Sequence, residues 1–148
     1  MSLASHEDAP TRLIVDASVV VKWFDVEERF LAQANHLLNS HLNGRTQILL
    51  SELVPFEVGS ALLKIPTQDF DWPTHSLWIS DFVWVRLDRE TAEAARDLAI
   101  SYGLSYYDAS YLALALREGA FLVSDDQLLL DAAEAEGVGL PLEQIPTE

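Results

Sequence analysis

Short, wholly apolar runs alternate with segments of helical period along this chain, and that alternation restricts the fold more than any other feature. Leu13-Ile14-Val15, Ile48-Leu49-Leu50, Val83-Trp84-Val85 and Phe121-Leu122-Val123 have no polar face, so each suits a strand buried on both sides. Between them apolar residues recur at helical spacing. Leu31, Ala34, Leu37, Leu38 and Leu42 do so in the stretch from Arg29, which Gly44 stops. Val58, Ala61, Leu62 and Ile65 follow Pro55 and end at Pro66, before a loop from Pro66 to Pro73. Asp88 is placed to cap a helix carrying Ala92, Ala95, Leu98, Ala99 and Tyr102 up to Gly103. The segment from Tyr106 to Glu118 is apolar nearly all round, which predicts a deeply buried helix with a buried start. A last helix from Asp126 to Glu136 and an edge strand from Leu140 to Ile145 complete the pattern. The expected fold class is α/β: a mostly parallel sheet of about five strands with helices on both faces, a three-layer α/β/α arrangement.

With 148 residues, 49% of them hydrophobic, the chain fits one domain over residues 12–148 behind a polar, aperiodic and flexible tail of residues 1–11. The absence of cysteine excludes disulfides, thiolate metal sites and thiol nucleophiles. No apolar run approaches the roughly 18 residues of a membrane helix, and the first residues lack a signal-peptide layout, so a cytoplasmic protein with no membrane partner is expected. A formal charge of −15 argues against a strong nonspecific grip on nucleic acid phosphates and favours a basic protein partner.

Four acids stand where an apolar run gives way to a helix or where a helix begins: Asp16, Glu57, Asp108 and Asp126. In a parallel sheet those places converge beyond the carboxyl ends of the strands, where such folds bind ligands. Like charges in a small volume repel unless a cation lies among them, and no Lys, Arg or His stands beside any of the four. Magnesium suits an oxygen-only donor set, and Mn²⁺ fits it as well.

Each acid also has a structural reading as a helix cap. Asp16 is free of that duty if Ser18 caps the following helix. Glu57 falls at the third helical position if Pro55 is the first, but Val54 then occupies the cap and offers no capping box. Ser105 and Asp108 do match a capping box, as do Ser124 and Gln127, so one of Asp125 and Asp126 is open to being a surface residue.

The segments IVDASVVVKWF (14–24), VPFEVGSALLK (54–64), LSYYDASYLALALREGA (104–120) and FLVSDDQLLLDAA (121–133) resemble, in order and spacing, the four acidic motifs of PIN-domain nucleases, and look most like VapC-type toxins of bacterial toxin–antitoxin pairs. By that resemblance Asp16 carries the first motif with Ser18 as its hydroxyl, Glu57 the second and Asp108 the third. Asp126 carries the fourth, with Ser124 where the family usually has threonine and Asp125 as an extra acid. Ser60 replaces an asparagine common in the family. The resemblance implies a Mg²⁺-dependent endoribonuclease, a homodimer, and inhibition by a basic antitoxin whose arginine enters the acidic crevice. Asp16, Asp108 and Asp126 would hold the metal and Glu57 would orient the attacking water.

Lys22, four residues after Ser18 on one helical face, has two readings, a phosphate contact or a solvated side chain. Tyr106 and Tyr107 have two as well, base stacking or core packing. Trp72, Trp78, Ile79 and Phe82 either meet a partner helix or a second subunit, or belong to the core. His6, His36, His41 and His75 share no helix face and do not suggest zinc. Two other classes compete: a nuclease-like fold that only binds, and a receiver-type phosphoacceptor domain, which would need an acid pair after the first strand and a late lysine. The chain has a single Asp16 there and no lysine after Lys64.

Overall fold

A computed structural model describes residues 9–24, 29–65 and 69–145. The four apolar runs form strands, and a fifth follows: β1 (Thr11–Val15), β2 (Thr46–Ser51), β3 (Val83–Val85), β4 (Phe121–Ser124) and β5 (Gly139–Pro141). All pairings are parallel and the order is β3-β2-β1-β4-β5. Leu13, Ile14, Ile48, Leu49 and Leu122 are wholly inaccessible, as strands covered on both faces require.

Seven α-helices connect or flank them in the described residues: α1 (Ala17–Val20), α2 (Leu31–Leu42), α3 (Val54–Leu63), α4 (Asp71–Ile79), α5 (Arg89–Tyr102), α6 (Tyr106–Glu118) and α7 (Gln127–Ala135). One chain direction across the sheet runs β1, β2, β3; the return runs through β4 to β5. With right-handed crossovers, those two directions place α1–α4 on one face and α5–α7 on the other, the three-layer arrangement. Packing agrees: α6 lies on β1 and β4 between α5 and α7, while α3 packs on α1 and α4. The strand order reverses between β1 and β4, so the crevice where such sheets bind ligands opens beyond Val15 and Ser124.

Several boundaries depart from the sequence pattern. Thr11 belongs to β1 and pairs with Thr46, so the strand takes in the last residue assigned to the tail. Helix α2 starts at Leu31 rather than Arg29, and Asp71–Pro73 are the first turn of α4 rather than loop; Pro66, Thr67 and Gln68 lie outside the described residues. The last strand is Gly139–Pro141, after which Leu142–Gln144 tighten into a 3₁₀ turn. The start of α6 is not buried: Tyr106 and Tyr107 are 55% and 62% exposed, although the Tyr106 hydroxyl reaches the Ala92 carbonyl of α5. Only from Ala109 onward does the helix enter the core. Trp72, Trp78 and Ile79 are likewise exposed, whereas Phe82 stacks on Trp23.

The α7–β5 connection leaves no room for a side chain at Gly139. A Cβ at Gly139 would lie 2.6 Å from Glu134 Cγ and 2.7 Å from the Glu134 backbone nitrogen, distances that atoms do not share. Gly139→Ala is therefore expected to lower stability by about 1–3 kcal/mol through overpacking, read as a lower midpoint in urea denaturation; an unchanged midpoint would show that the turn relaxes freely.

Candidate active site

Asp16 follows β1 at the switch point, 4% exposed, and its carboxylate organises the surrounding loops. Its Oδ1 accepts the Ser18 hydroxyl at 2.6 Å and the Val19 N–H at 3.3 Å. Its Oδ2 accepts the Ser124 hydroxyl at 2.6 Å, a bond that crosses from β1 to β4. Asp16 is thus the cap of α1. The expectation that Ser18 would cap and leave Asp16 free is reversed, since the Ser18 hydroxyl is spent on Asp16 and on accepting the Asp125 N–H at 3.1 Å. Ser124 is equally bifunctional: it donates to Asp16 and accepts the Asp126 N–H at 2.9 Å. It does not cap α7 in a box with Gln127; Asp126 caps that helix by accepting the Leu129 N–H at 3.0 Å.

Glu57 lies in the first turn of α3. That helix begins one residue earlier than its sequence suggests, with Leu53 at the cap and Pro55 second, which moves Glu57 to the fourth position. No capping role remains for it. Its Oε1 instead accepts the Tyr111 hydroxyl at 2.8 Å. Tyr111 is 1% exposed and stands one helical turn beyond Asp108, so α6 presents an acid and a hydroxyl on one face. Sequence reasoning missed Tyr111. The signal was that three-residue spacing within YDASY, hidden because a tyrosine in an apolar helix reads as packing. Asp108 itself opens α6, where Ser105 caps through the Asp108 N–H at 3.1 Å, as the capping pattern suggested.

The electrostatics connect the four acids through Asp108. Burial pushes the Asp16 carboxyl up to about 6, against the lowering effect of the Ser124, Ser18 and Val19 hydrogen bonds and with a further push from the Asp108 charge. Burial also raises Glu57, partly offset by the Tyr111 hydroxyl and reinforced by Asp108. Asp108 is raised by burial and then by the charge of Asp126. Burial raises the Tyr111 phenol too, with Glu57 and Asp16 adding to it, so it stays a proton donor. Burial is the main cause of all three rises, and mutual repulsion among the acids adds to each.

The fifth acid goes elsewhere. Asp125 takes Lys22 Nζ at 3.1 Å and Arg29 at 3.2 Å, which identifies Asp126, not Asp125, as the acid that acts on Asp108. Lys22 is 2% exposed, so neither the solvated nor the phosphate-contacting reading of it holds. Ser60 is an exposed residue of α3 on an outer groove, away from these hydrogen bonds. His41 bridges the Ile48 N–H and the Asp81 carbonyl and plays no part in the site, and His6 lies outside the described residues.

Among the described residues no three His, Asp or Glu side chains form a ready-made cation cage. The donor set nevertheless fits a hard divalent cation. It is all oxygen, it carries uncompensated charge, and Mg²⁺ needs only one or two carboxylates because water and phosphate oxygens complete its shell.

The chain belongs to the PIN-domain family, whose model matches residues 13–135. Solved structures share the fold. A protein of Pyrobaculum aerophilum, PAE2754, is 24% identical with a TM-score of 0.63 over 90% of each chain. VapC20 of Mycobacterium tuberculosis, described as a sarcin–ricin-loop-cleaving toxin, is 16% identical with a TM-score of 0.67, over 83% of this chain and 94% of that one. A toxin–antitoxin complex from Klebsiella pneumoniae contains a chain 20% identical with a TM-score of 0.58, over 78% and 87%. No curated protein sequence matches the chain. Family membership sets aside the receiver-domain reading, and no described helix is long and apolar enough to cross a membrane.

A carboxyl raised by folding makes stability depend on pH. Between the ordinary Asp value of 3.8 and about 6 the folded state holds a proton on Asp16 that the unfolded state has lost, so stability should fall as pH rises through that window. Urea titrations of the metal-free protein should show this fall, amounting to a few kcal/mol, and Asp16→Asn should flatten it. Equal slopes for the two proteins would mean that Asp16 is not buried as described.

Proposed function

We propose that the protein is a metal-dependent endoribonuclease, the toxin of a toxin–antitoxin pair acting in the cytoplasm. The observation that carries the reading is the buried Asp16 at the strand-order switch point of a PIN domain, electrostatically joined to Asp108.

Asp16, Asp108 and Asp126 would hold Mg²⁺ or Mn²⁺. When bound, such an ion lowers the pKa of a water and polarises phosphoryl oxygens. The protein's own groups do the positioning. Ser18 and Ser124 fix both oxygens of Asp16, so its orientation is set before substrate arrives. Glu57, fixed by Tyr111, orients the attacking water, and burial raises its carboxyl above the ordinary range, which makes it a stronger proton acceptor. No nucleophilic side chain is required.

A basic antitoxin fits the same edge. An arginine placed among these carboxylates would supply the missing positive charge, and the charge of −15 favours such a partner over long range. Phe56, Trp78 and Ile79, each more than half exposed on α3 and α4, offer apolar area to that partner or to a second subunit in a homodimer. The Klebsiella pneumoniae neighbour, a toxin–antitoxin complex, supports the pairing. Co-expression with the adjacent small reading frame should give a co-eluting basic protein on sizing, and elution of the chain alone would remove the antitoxin reading.

Purified protein should cleave RNA with Mg²⁺ or Mn²⁺ and not with EDTA. Asp16→Asn or Asp108→Asn should reduce cleavage by at least about a hundredfold, on the order of 3 kcal/mol of transition-state stabilisation. Tyr111→Phe should cost less, about tenfold, through a loosened Glu57. Cleavage that is equal in wild type and the aspartate variants would eliminate the enzyme reading.

A further inference from the structure

Beside the acid cluster, between the first turns of α5 and α6, lies a cavity of about 160 Å³. Leu53, Leu87, Asp88, Thr91, Tyr106 and Tyr107 line it. Two of these residues tie it to the candidate active site by chain connectivity alone. Tyr107 directly precedes Asp108, and Leu53 is the cap of α3, one turn before Glu57. Along the backbone the cavity is therefore within about one helical turn of Asp108 and of Glu57.

The walls select the shape of that group. Tyr106 is held in place by its hydroxyl, which donates to the Ala92 carbonyl at 3.2 Å, so its ring is a fixed wall rather than a mobile surface side chain. Leucine and alanine side chains face it, and the space suits one planar ring but not a helix or a strand. The polar equipment lies at the rim. Asp88 Oδ1 accepts both the N–H and the hydroxyl of Thr91, at 2.8 and 2.6 Å, and lies 3.5 Å from the Arg117 guanidinium; these contacts orient the half-exposed carboxylate, lower its pKa and leave Oδ2 as its acceptor toward the rim. An anionic acceptor at the rim of an apolar slot calls for an N–H donor on the edge of an otherwise apolar ring. Arg86 is exposed and precedes Leu87, placing positive charge just outside, whereas the neighbouring Arg89 is paired with Glu93 at 3.1 Å.

We propose that this cavity receives one unpaired nucleobase bearing an exocyclic amine, from a nucleotide flanking the phosphodiester held at the acids, with the phosphate beyond it passing Arg86. The proposal rests on the ribonuclease reading and adds to it a determinant of which bond is cut. Tyr106 and Tyr107 provide stacking, the apolar walls exclude water from the base faces, and Asp88 accepts from the amine. Adenine, cytosine and guanine meet that requirement, whereas uracil has no exocyclic amine and its N3–H is flanked by two carbonyl oxygens that a carboxylate repels, so it is disfavoured. Paired RNA cannot place a base there, so the site also selects single strands and loops.

The test uses short oligoribonucleotides spanning a cleavage site mapped on total RNA, or of mixed sequence if none is cut. Each carries 2-aminopurine, uracil or an abasic residue at every position in turn. In EDTA, the wild-type protein should quench 2-aminopurine at one position, and Ala92→Phe, which fills the cavity, should abolish that quenching while its circular dichroism stays native. With Mn²⁺, an abasic residue or uracil at that position should lower kcat/KM at least about tenfold. Asp88→Asn keeps the cap of α5 but presents an amide, so it should raise cleavage of the uracil substrate relative to the others. If every abasic substrate is cut as fast as its parent, the base site is overturned and the ribonuclease reading stands. Quenching that Ala92→Phe abolishes, in a protein that cuts nothing with either metal, would support the base site and overturn the nuclease reading. Neither quenching nor cleavage would overturn both.

Discussion

A carboxylate buried where β1 and β4 part, with a hydroxyl on each of its oxygens, is the constraint on which the rest of this edge depends. Burying an ionised carboxylate is costly unless its lone pairs are taken up. Asp16 meets that demand through Ser18 and Ser124, and both serines pass the effect on, because each also accepts a backbone N–H from the loop after β4. The loop that carries Asp125 and Asp126 is therefore positioned by Asp16 through two hydroxyl relays. A threonine would serve the same two bonds as Ser124. The departure from the family's usual residue is for that reason chemically neutral: the geometry uses the hydroxyl.

The neighbouring aspartates divide their work by electrostatics. Asp125 draws in Lys22 and Arg29, and the Lys22 pair is almost fully buried, so it anchors the loop to the turn after α1. Replacing either partner of such a pair leaves a buried charge, which makes the arrangement rigid even where its net contribution to stability is small. Asp126 and Asp108, by contrast, form no ion pair among the described residues. The fold thus neutralises one acid of the pair and keeps the other available.

The sheet was legible in the sequence because strands buried on both faces have only one way to look, and all four apolar runs became strands with boundaries moved by two residues at most. The acids were legible as positions, since strand ends and helix starts are local features. What the pattern could not carry was long-range pairing. Lys22 meets Asp125 from the other end of the chain, and Tyr111 meets Glu57 across two helices, neither of which a helical wheel displays. The start of α6 failed for a related reason. Apolar composition says that a helix wants cover, but whether Tyr106 and Tyr107 receive it depends on how far α5 extends beside them.

Those uncovered tyrosines bear on how a chain of formal charge −15 holds a polyanion at all. With so few basic side chains, several of them committed to ion pairs, little affinity can come from displacing counterions along a phosphate backbone. The remaining sources are a divalent cation bridging carboxylates to one phosphate, and stacking of bases on exposed rings. Both are short-ranged and both act at one point of the substrate. An acidic nuclease built this way trades general affinity for RNA against local discrimination, and its recognition should depend more on the metal and on one or two flanking bases than on ionic strength.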